Sequence, residues 1–255
     1  MVHSALLSRD GGPRTPSTEG RLIVTRQDPD RTYRAIGFLD KLSDGTFEFA
    51  YLKAAAADPS FVPLIGFRDV HRRYRRAHLF SAFAERVIGA KRADRPQYLK
   101  SLSLTTDADS WEILTASGGY REGDTIELIS LPTIDPVTRR TEARFLAHGV
   151  RYCTEEADRA ISTLTQDTEL GLEHAPANPV NPSAIRIVYQ GLHLGWVPDP
   201  LLDYVSAVLA GGQYRLSVVQ ANPPETNPHL RLLLRLEGVL PGPWPFDGPQ
   251  WQTAA

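Results

Sequence analysis

Two Asn-Pro pairs stand within five residues, Asn178-Pro179 and Asn181-Pro182, directly ahead of the alternating run "AIRIVYQ". Proline pushes the residue before it out of the helical region, and an asparagine side chain can hydrogen-bond its own backbone to hold a turn. The stretch "EHAPANPVNPSAIRIVYQGLHLGWVP" (residues 173–198) therefore turns the chain sharply from strand "ELGLEH" into strand "AIRIVYQ", with "YQGL" as the next tight turn. The same punctuation runs through the chain. Its 255 residues include 20 prolines and 19 glycines, which points to many short elements rather than a helical bundle.

Upstream, "YRAIGFLD" and "TFEFAYL" read as strands of a hairpin joined by "KLSDG", where Asp-Gly is a strong turn signal. In "RDVHRRYRRAHLFSAFAERVIGA", Leu79, Phe80, Phe83, Ala84 and Val87 recur at helical spacing, and the basic run before them would initiate that helix. "DADSWEILTASGGY" is a second helix with Asp107 or Asp109 near its start and Gly118-Gly119 at its end, followed by strand "DTIELISLP". Further on, "EARFLAHGVRY" reads as a long strand and "EEADRAISTLTQ" as a short helix. "DPLLDYVSAVLAGG" is a helix with Asp199 as N-cap, and "QYRLSVVQ" and "HLRLLLRLEGVL" are the last strands. The expected fold class is α+β: a small α+β domain over residues 21–138, then five or six strands with an inserted helix over 142–240 forming a small barrel. Residues 1–20 read as a flexible tail and 241–255 as an irregular one.

Several function classes find no support. No Walker loop, GxGxxG, GxSxG, HExxH or CxxC motif occurs, and no kinase catalytic loop. The seven histidines are scattered; His71 and His78 are the pair within ten residues, and the arginines around them would repel a cation. Catalytic residues, metal ligands and cofactors are therefore all expected to be absent. The single Cys153 excludes a disulfide framework and suits a reducing, cytoplasmic setting; an apolar-strand thiol there reads as inert packing. No apolar run approaches the roughly 20 residues of a membrane span, and the first residues lack the pattern of a secretion signal. Charge is uneven: residues 20–142 carry 19 Lys and Arg against 17 Asp and Glu (+2), and residues 143–240 carry 7 against 10 (−3). Proteins that neutralise many phosphates are usually basic over the binding domain, and the second part is not.

The residues "GLEHAPANPVNPSAIRIVYQGLHLGWVP", with "HGVRYC" upstream, resemble the HIRAN domain over about residues 144–237. The family's hallmark is an Asn-Pro turn before an Ala-Ile strand, followed by a Gly-aromatic strand end. The resemblance implies an OB-like barrel that binds DNA, including single-stranded 3′ ends. Arg151 and Tyr152 match positions that contact the DNA end by charge and stacking; Asn178, Asn181 and Trp196 match the turn and the Gly-aromatic slot. Alternatives remain for each: Arg151 and Tyr152 as a rim pair without ligand, Asn178 as turn framework, Trp196 as core. Ala175, Cys153, Val180, Asn181 and Asp199 depart from the family pattern. Val180 removes a stacking position, and an Asp199 carboxylate after Pro198 would repel phosphate.

The first part, through "AIGFLDKLSDGTFEFAYLK", "HLFSAFAERVIGAKRADR" and "WEILTASGGYREGDTIELISLP", resembles the N-terminal subdomain of HipA-type toxins, with Tyr120 standing in the Asp slot after Gly118-Gly119. That resemblance implies a module that docks a protein partner such as a HipA-like kinase body; the kinase core itself is missing. The cluster Arg72, Arg73, Arg75 and Arg76 is either solvated surface charge or a phosphate contact with Tyr74 able to stack. Together these features lead to the expectation of a non-catalytic nucleic-acid-binding adaptor in DNA repair, defence or a toxin–antitoxin system. The alternative is a pure protein-interaction subunit of a HipA-type system without DNA binding.

Overall fold

The computed structural model describes residues 16–255; most of the expected 1–20 tail lies outside the described residues. Two antiparallel sheets organise the chain. The first contains β1 (Thr18–Gln27), β2 (Tyr33–Leu42), β3 (Phe47–Tyr51), β4 (Tyr74–Arg76) and β5 (Ile126–Ser130), in the order β4-β3-β2-β1-β5. Strand β1 has no counterpart in the sequence reading. It is flanked by β2 and β5 and buries Leu22, Ile23 and Val24 in a continuous apolar run, so the alternation that marks a half-exposed strand is absent. The β2–β3 hairpin turns at Asp44-Gly45 as expected, with Gly45 at φ 79° and the Asp44 carboxylate accepting from the Thr46 amide.

Four helices accompany this sheet: α1 (Lys53–Ala57), α2 (Ser81–Ala84), α3 (Arg95–Ser101) and α4 (Ser110–Ser117). Helix α4 follows its sequence signals: Asp109 and Glu112 make a reciprocal capping box, and Gly118 ends the helix in the left-handed region. Helix α2 is much shorter than the 79–87 periodicity suggests. Phe80 and Phe83 are nonetheless buried around Phe67, with Phe49 and Phe80 edge to face on its ring and Phe83 tilted against it. The basic run does not initiate a helix: Tyr74–Arg76 is the edge strand β4, paired with β3.

The second sheet contains β6 (Thr133–Ile134), β7 (Arg140–Leu146), β8 (Glu169–His174), β9 (Ile185–Tyr189), β10 (Leu192–Trp196), β11 (Tyr214–Ala221) and β12 (Leu232–Val239). Their order is β10-β9-β8-β11-β12-β7-β6, with helices α5 (Glu155–Thr163) and α6 (Leu202–Ala210) against it. The β9–β10 turn places Gln190 and Gly191 at φ 49° and 81°, the geometry that a tight hairpin favours. The expected closed barrel is not present. The sheet has two edges, β10 and β6, and one isolated bridge, His148 to Trp196, joins β10 to the chain just past β7. The reason is local. Strand β7 ends at Leu146 instead of running to Tyr152, because Gly149 takes φ 68° and Val150–Tyr152 coil into a 3-10 turn. No ladder can then form along β10.

The two sheets share a core. Ile23, Phe38, Leu52 and Ile129 from the first pack in one cluster with Phe145, Ile187, Leu234 and Leu236 of the second. The chain crosses between sheets through Leu131-Pro132, since β6 already pairs with β7. Residues 241–255 form two 3-10 turns and then return to the first sheet. Trp251 stacks on Phe38 at 5.8 Å, and Leu52 bridges Thr253.

Candidate nucleic-acid interface

A cleft of about 810 Å³ opens where the two sheets meet. Five residues singled out in the sequence line it: Arg151, Tyr152, Asn178, Asn181 and Trp196. Gly149 makes this convergence possible. Its φ of 68° lies in the left-handed region, and a Cβ there would stand 2.9 Å from Trp196 Cδ1, so a side chain at 149 is excluded twice. The turn that follows projects Arg151 and Tyr152 outward. Tyr152 is 70% exposed, and the Arg151 guanidinium lies 4.7 Å over its ring while donating to its hydroxyl at 2.6 Å. The pair offers a cation and an aromatic edge at the rim of the cleft. Both residues stand on a 3-10 turn, not on the strand that the sequence reading expected.

Asn178 and Asn181 have framework roles. Asn178 Oδ1 accepts from the Val180 and Asn181 amides, and Asn181 Oδ1 accepts from the Ser183 amide. Asn181 Nδ2 donates to Asp199 Oδ1 at 3.0 Å, and Asp199 Oδ2 accepts the Tyr33 amide at 2.8 Å. The double Asn-Pro corner is thereby tied through one carboxylate to the start of β2 in the other sheet. Asp199 does not cap the following helix, which has no side-chain cap; its oxygens are committed across the interface. Trp196 is half-buried, with its ring edge to face with His193 at 4.4 Å. Val180 stands 47% exposed at the cleft.

Sequence reasoning missed the inner part of the cleft. Glu127 of β5 reaches across to the second sheet, where its Oε1 lies 3.0 Å from His148 Nε2 and 3.6 Å from His229 Nε2. Burial alone would raise the Glu127 carboxyl. The two imidazoles and the hydrogen bond from His148 outweigh it and hold the group below its ordinary value. For His148 burial opposes protonation, but the Glu127 charge and hydrogen bond, with Asp199 beyond, raise its pKa. His229 is lowered, because burial outweighs the Glu127 charge. The directions favour charge on Glu127 and His148 and disfavour it on His229. His148 Nε2 is hydrogen-bonded to the carboxylate, whereas His229 Nε2, 3.6 Å from the same oxygen, is buried without a hydrogen-bond partner among the described residues. Nothing in the spacing of residues 127, 148 and 229 marks this cluster; β5 and the turn after β7 bring it together. Among the described residues no group of three His, Cys, Asp or Glu side chains is arranged to hold a metal ion. Burial pushes the Cys153 thiol up to about 11.

The arginine cluster is not part of the cleft. Arg73 pairs with Glu48 at 2.8 Å and with the Ala255 carbonyl, and Arg75 pairs with Asp44 at 2.5 Å. Arg72 and Arg76 lie over the rings of Tyr74 and Phe80 at 5.2 and 5.9 Å. As a phosphate anchor the cluster is mostly occupied. No helix among the described residues is long and apolar enough to cross a membrane.

No protein-family model matches this chain, and no curated protein matches it. Among solved structures, it is similar to the HIRAN domain of human HLTF, at 17% identity over 38% of this chain and 74% of that one, with a TM-score of 0.29. It is also similar to a structural-genomics protein from Lactobacillus plantarum, at 18% identity over 39% of this chain and 98% of that one, with a TM-score of 0.31.

Proposed function

We propose that the protein is a non-catalytic binding protein whose interdomain cleft holds the unpaired end of a single-stranded nucleic acid, DNA foremost. The observation that carries this reading is the convergence of Arg151, Tyr152, Asn178, Asn181 and Trp196 on one cleft of about 810 Å³, a volume within the roughly 300–1,000 Å³ of ligand sites. These are the positions at which the sequence resembles HIRAN domains, and the exposed Arg151–Tyr152 pair supplies a cation and an aromatic ring at the rim, the groups that single strands use. The Glu127–His148–His229 cluster joins the domains, with His148 hydrogen-bonded to the Glu127 carboxylate across the junction. The first domain would dock a protein partner through the loop between α1 and β4, where Ile65 is 96% and Val62 70% exposed.

A salt titration by fluorescence anisotropy tests the reading, with single-stranded DNA bearing free or blocked 3′ ends. Binding should weaken with salt, and Arg151→Ala should lower the salt slope by about 1. Absence of binding at low salt overturns it. One observation favours a second reading, a protein-interaction subunit without nucleic acid: Glu122, Asp124, Glu127 and Asp199 line the cleft against Arg31 and Arg151. Retention of a protein partner with no binding of DNA or RNA would support that alternative.

A further inference from the structure

Tyr120 belongs to the first domain yet lines the same cleft as Arg151 and Tyr152. Two glycines put it there. Helix α4 ends at Gly118, φ 65°, and Gly119 follows at φ 59°, so the chain reverses within two residues. Tyr120 then lies flat on His229, with ring centroids 4.4 Å apart and planes 17° from parallel. Tyr33, at the start of β2, lines the same cleft with its ring 5.2 Å from that of His148. Burial and the Glu127 charge push its phenol up to about 12, so the hydroxyl keeps its proton and can donate. The first domain therefore contributes two aromatic side chains to the cleft that the rim pair also lines.

Charge sets the direction in which a strand can enter. The buried Glu127, paired with His148, and the half-buried Asp199 line the cleft, while the arginines lining it, Arg31 and Arg151, are both exposed. A phosphate moved inward would approach the Asp199 carboxylate, whose hydrogen-bond partners are neutral, and a Glu127 already paired with His148, in a poorly solvated space that offers it no free cation among the described residues. A nucleobase carries no charge and has a π-face for an aromatic wall. We propose that Tyr120 and Tyr33 of the first domain form a second wall of the site, receiving the unpaired terminal base of a single strand while its phosphates remain at Arg31 and Arg151. This rests on the nucleic-acid reading above and adds to it that the second domain alone holds half of the site.

The test uses the full chain and single-stranded DNA of about ten nucleotides carrying either a normal or an abasic terminal residue. Tyr120→Ala should weaken binding of the normal strand roughly 5- to 150-fold, the equivalent of one lost stacked base. It should leave the abasic strand unaffected within about twofold. Tyr120→Phe should retain affinity, and a terminal 2-aminopurine should be quenched on binding to the unaltered protein. The proposal is overturned if Tyr120→Ala weakens both strands equally, or if the bound 2-aminopurine is as bright as the free one. The quenching arm needs no variant, so a bright bound 2-aminopurine overturns the proposal even where Tyr120→Ala fails to fold. If the unaltered protein binds no single strand at all, the nucleic-acid reading itself fails. Loss of binding in Arg151→Ala with none in Tyr120→Ala or Tyr33→Ala sinks the second wall alone.

Discussion

Replacing Glu127 with glutamine removes the charge at the junction of the two sheets while keeping its size. Glu127 is 5% exposed and His148 15%, at a separation of 3.0 Å, so solvent screens the pair weakly. Deleting one partner of such a pair costs about 3–5 kcal/mol, because the other is left buried and uncompensated. The pH dependence identifies the cause. The His148 pKa is raised in the folded protein, so its contribution is complete below about 6.5 and is lost as pH rises through the folded value. The Glu127 pKa is lowered, so its contribution is present above about 4.3 and is lost as pH falls through its folded value. Between those limits both act. His229, lowered in the folded state, favours folding above about 6.5 and adds to the acid-side loss in the variant. Urea unfolding of Glu127→Gln should therefore show a deficit of about 3–5 kcal/mol near pH 5.5. Near pH 9 the deficit should shrink by about 1.4 kcal/mol for each pH unit by which His148 is raised. A deficit equal at both pH values, or larger in alkali, would refute the ion-pair reasoning.

Asp199→Ala strands the Tyr33 amide and the Asn181 carboxamide. It should cost about 2–4 kcal/mol, part-exposure considered, and speed hydrogen exchange at the Tyr33 amide; unaltered exchange there would contradict the clasp. Arg73→Ala and Arg75→Ala should change single-strand affinity by less than about twofold, since both side chains are engaged by Glu48 and Asp44; a salt slope lowered by about 1 for either would relocate the phosphate contact. With its thiol pushed up to about 11, Cys153 should alkylate on the order of a hundred times more slowly near neutral pH than a free cysteine. A rate close to that of the free amino acid would show the thiol to be accessible and ionised.

The parts of the fold legible in the sequence are those fixed by local chemistry. The Asp44-Gly45 hairpin, the Asp109 cap and the Gln190-Gly191 turn each need a particular backbone shape that few residues adopt, and the residues present supply it. Strand β1 was hidden because both its faces are packed, Ile23 into one cluster and Leu22 and Val24 into another, which leaves no polar face to reveal a period of two. The end of β7 was hidden because one glycine decides it, and "EARFLAHGVRY" alternates well enough to read on through Gly149. At the site, the resemblance located Arg151, Tyr152 and Trp196 but not their purpose relative to Asn178, Asn181 and Asp199, whose polar atoms are spent on one another and on Tyr33. The Glu127, His148 and His229 cluster and the Tyr120 wall come from opposite sheets. They depend on packing over more than a hundred residues of chain, which no spacing rule records.

The most direct measurement of the central claim is photo-crosslinking of a single-stranded DNA whose terminal base is 5-bromouracil, followed by mapping of the modified residues. The account predicts attachment within the cleft, at Tyr152, Tyr120 or Trp196, and its loss when unlabelled strand competes. Attachment at Arg72–Arg76 and their neighbours, or none under conditions where the strand is bound, would contradict it.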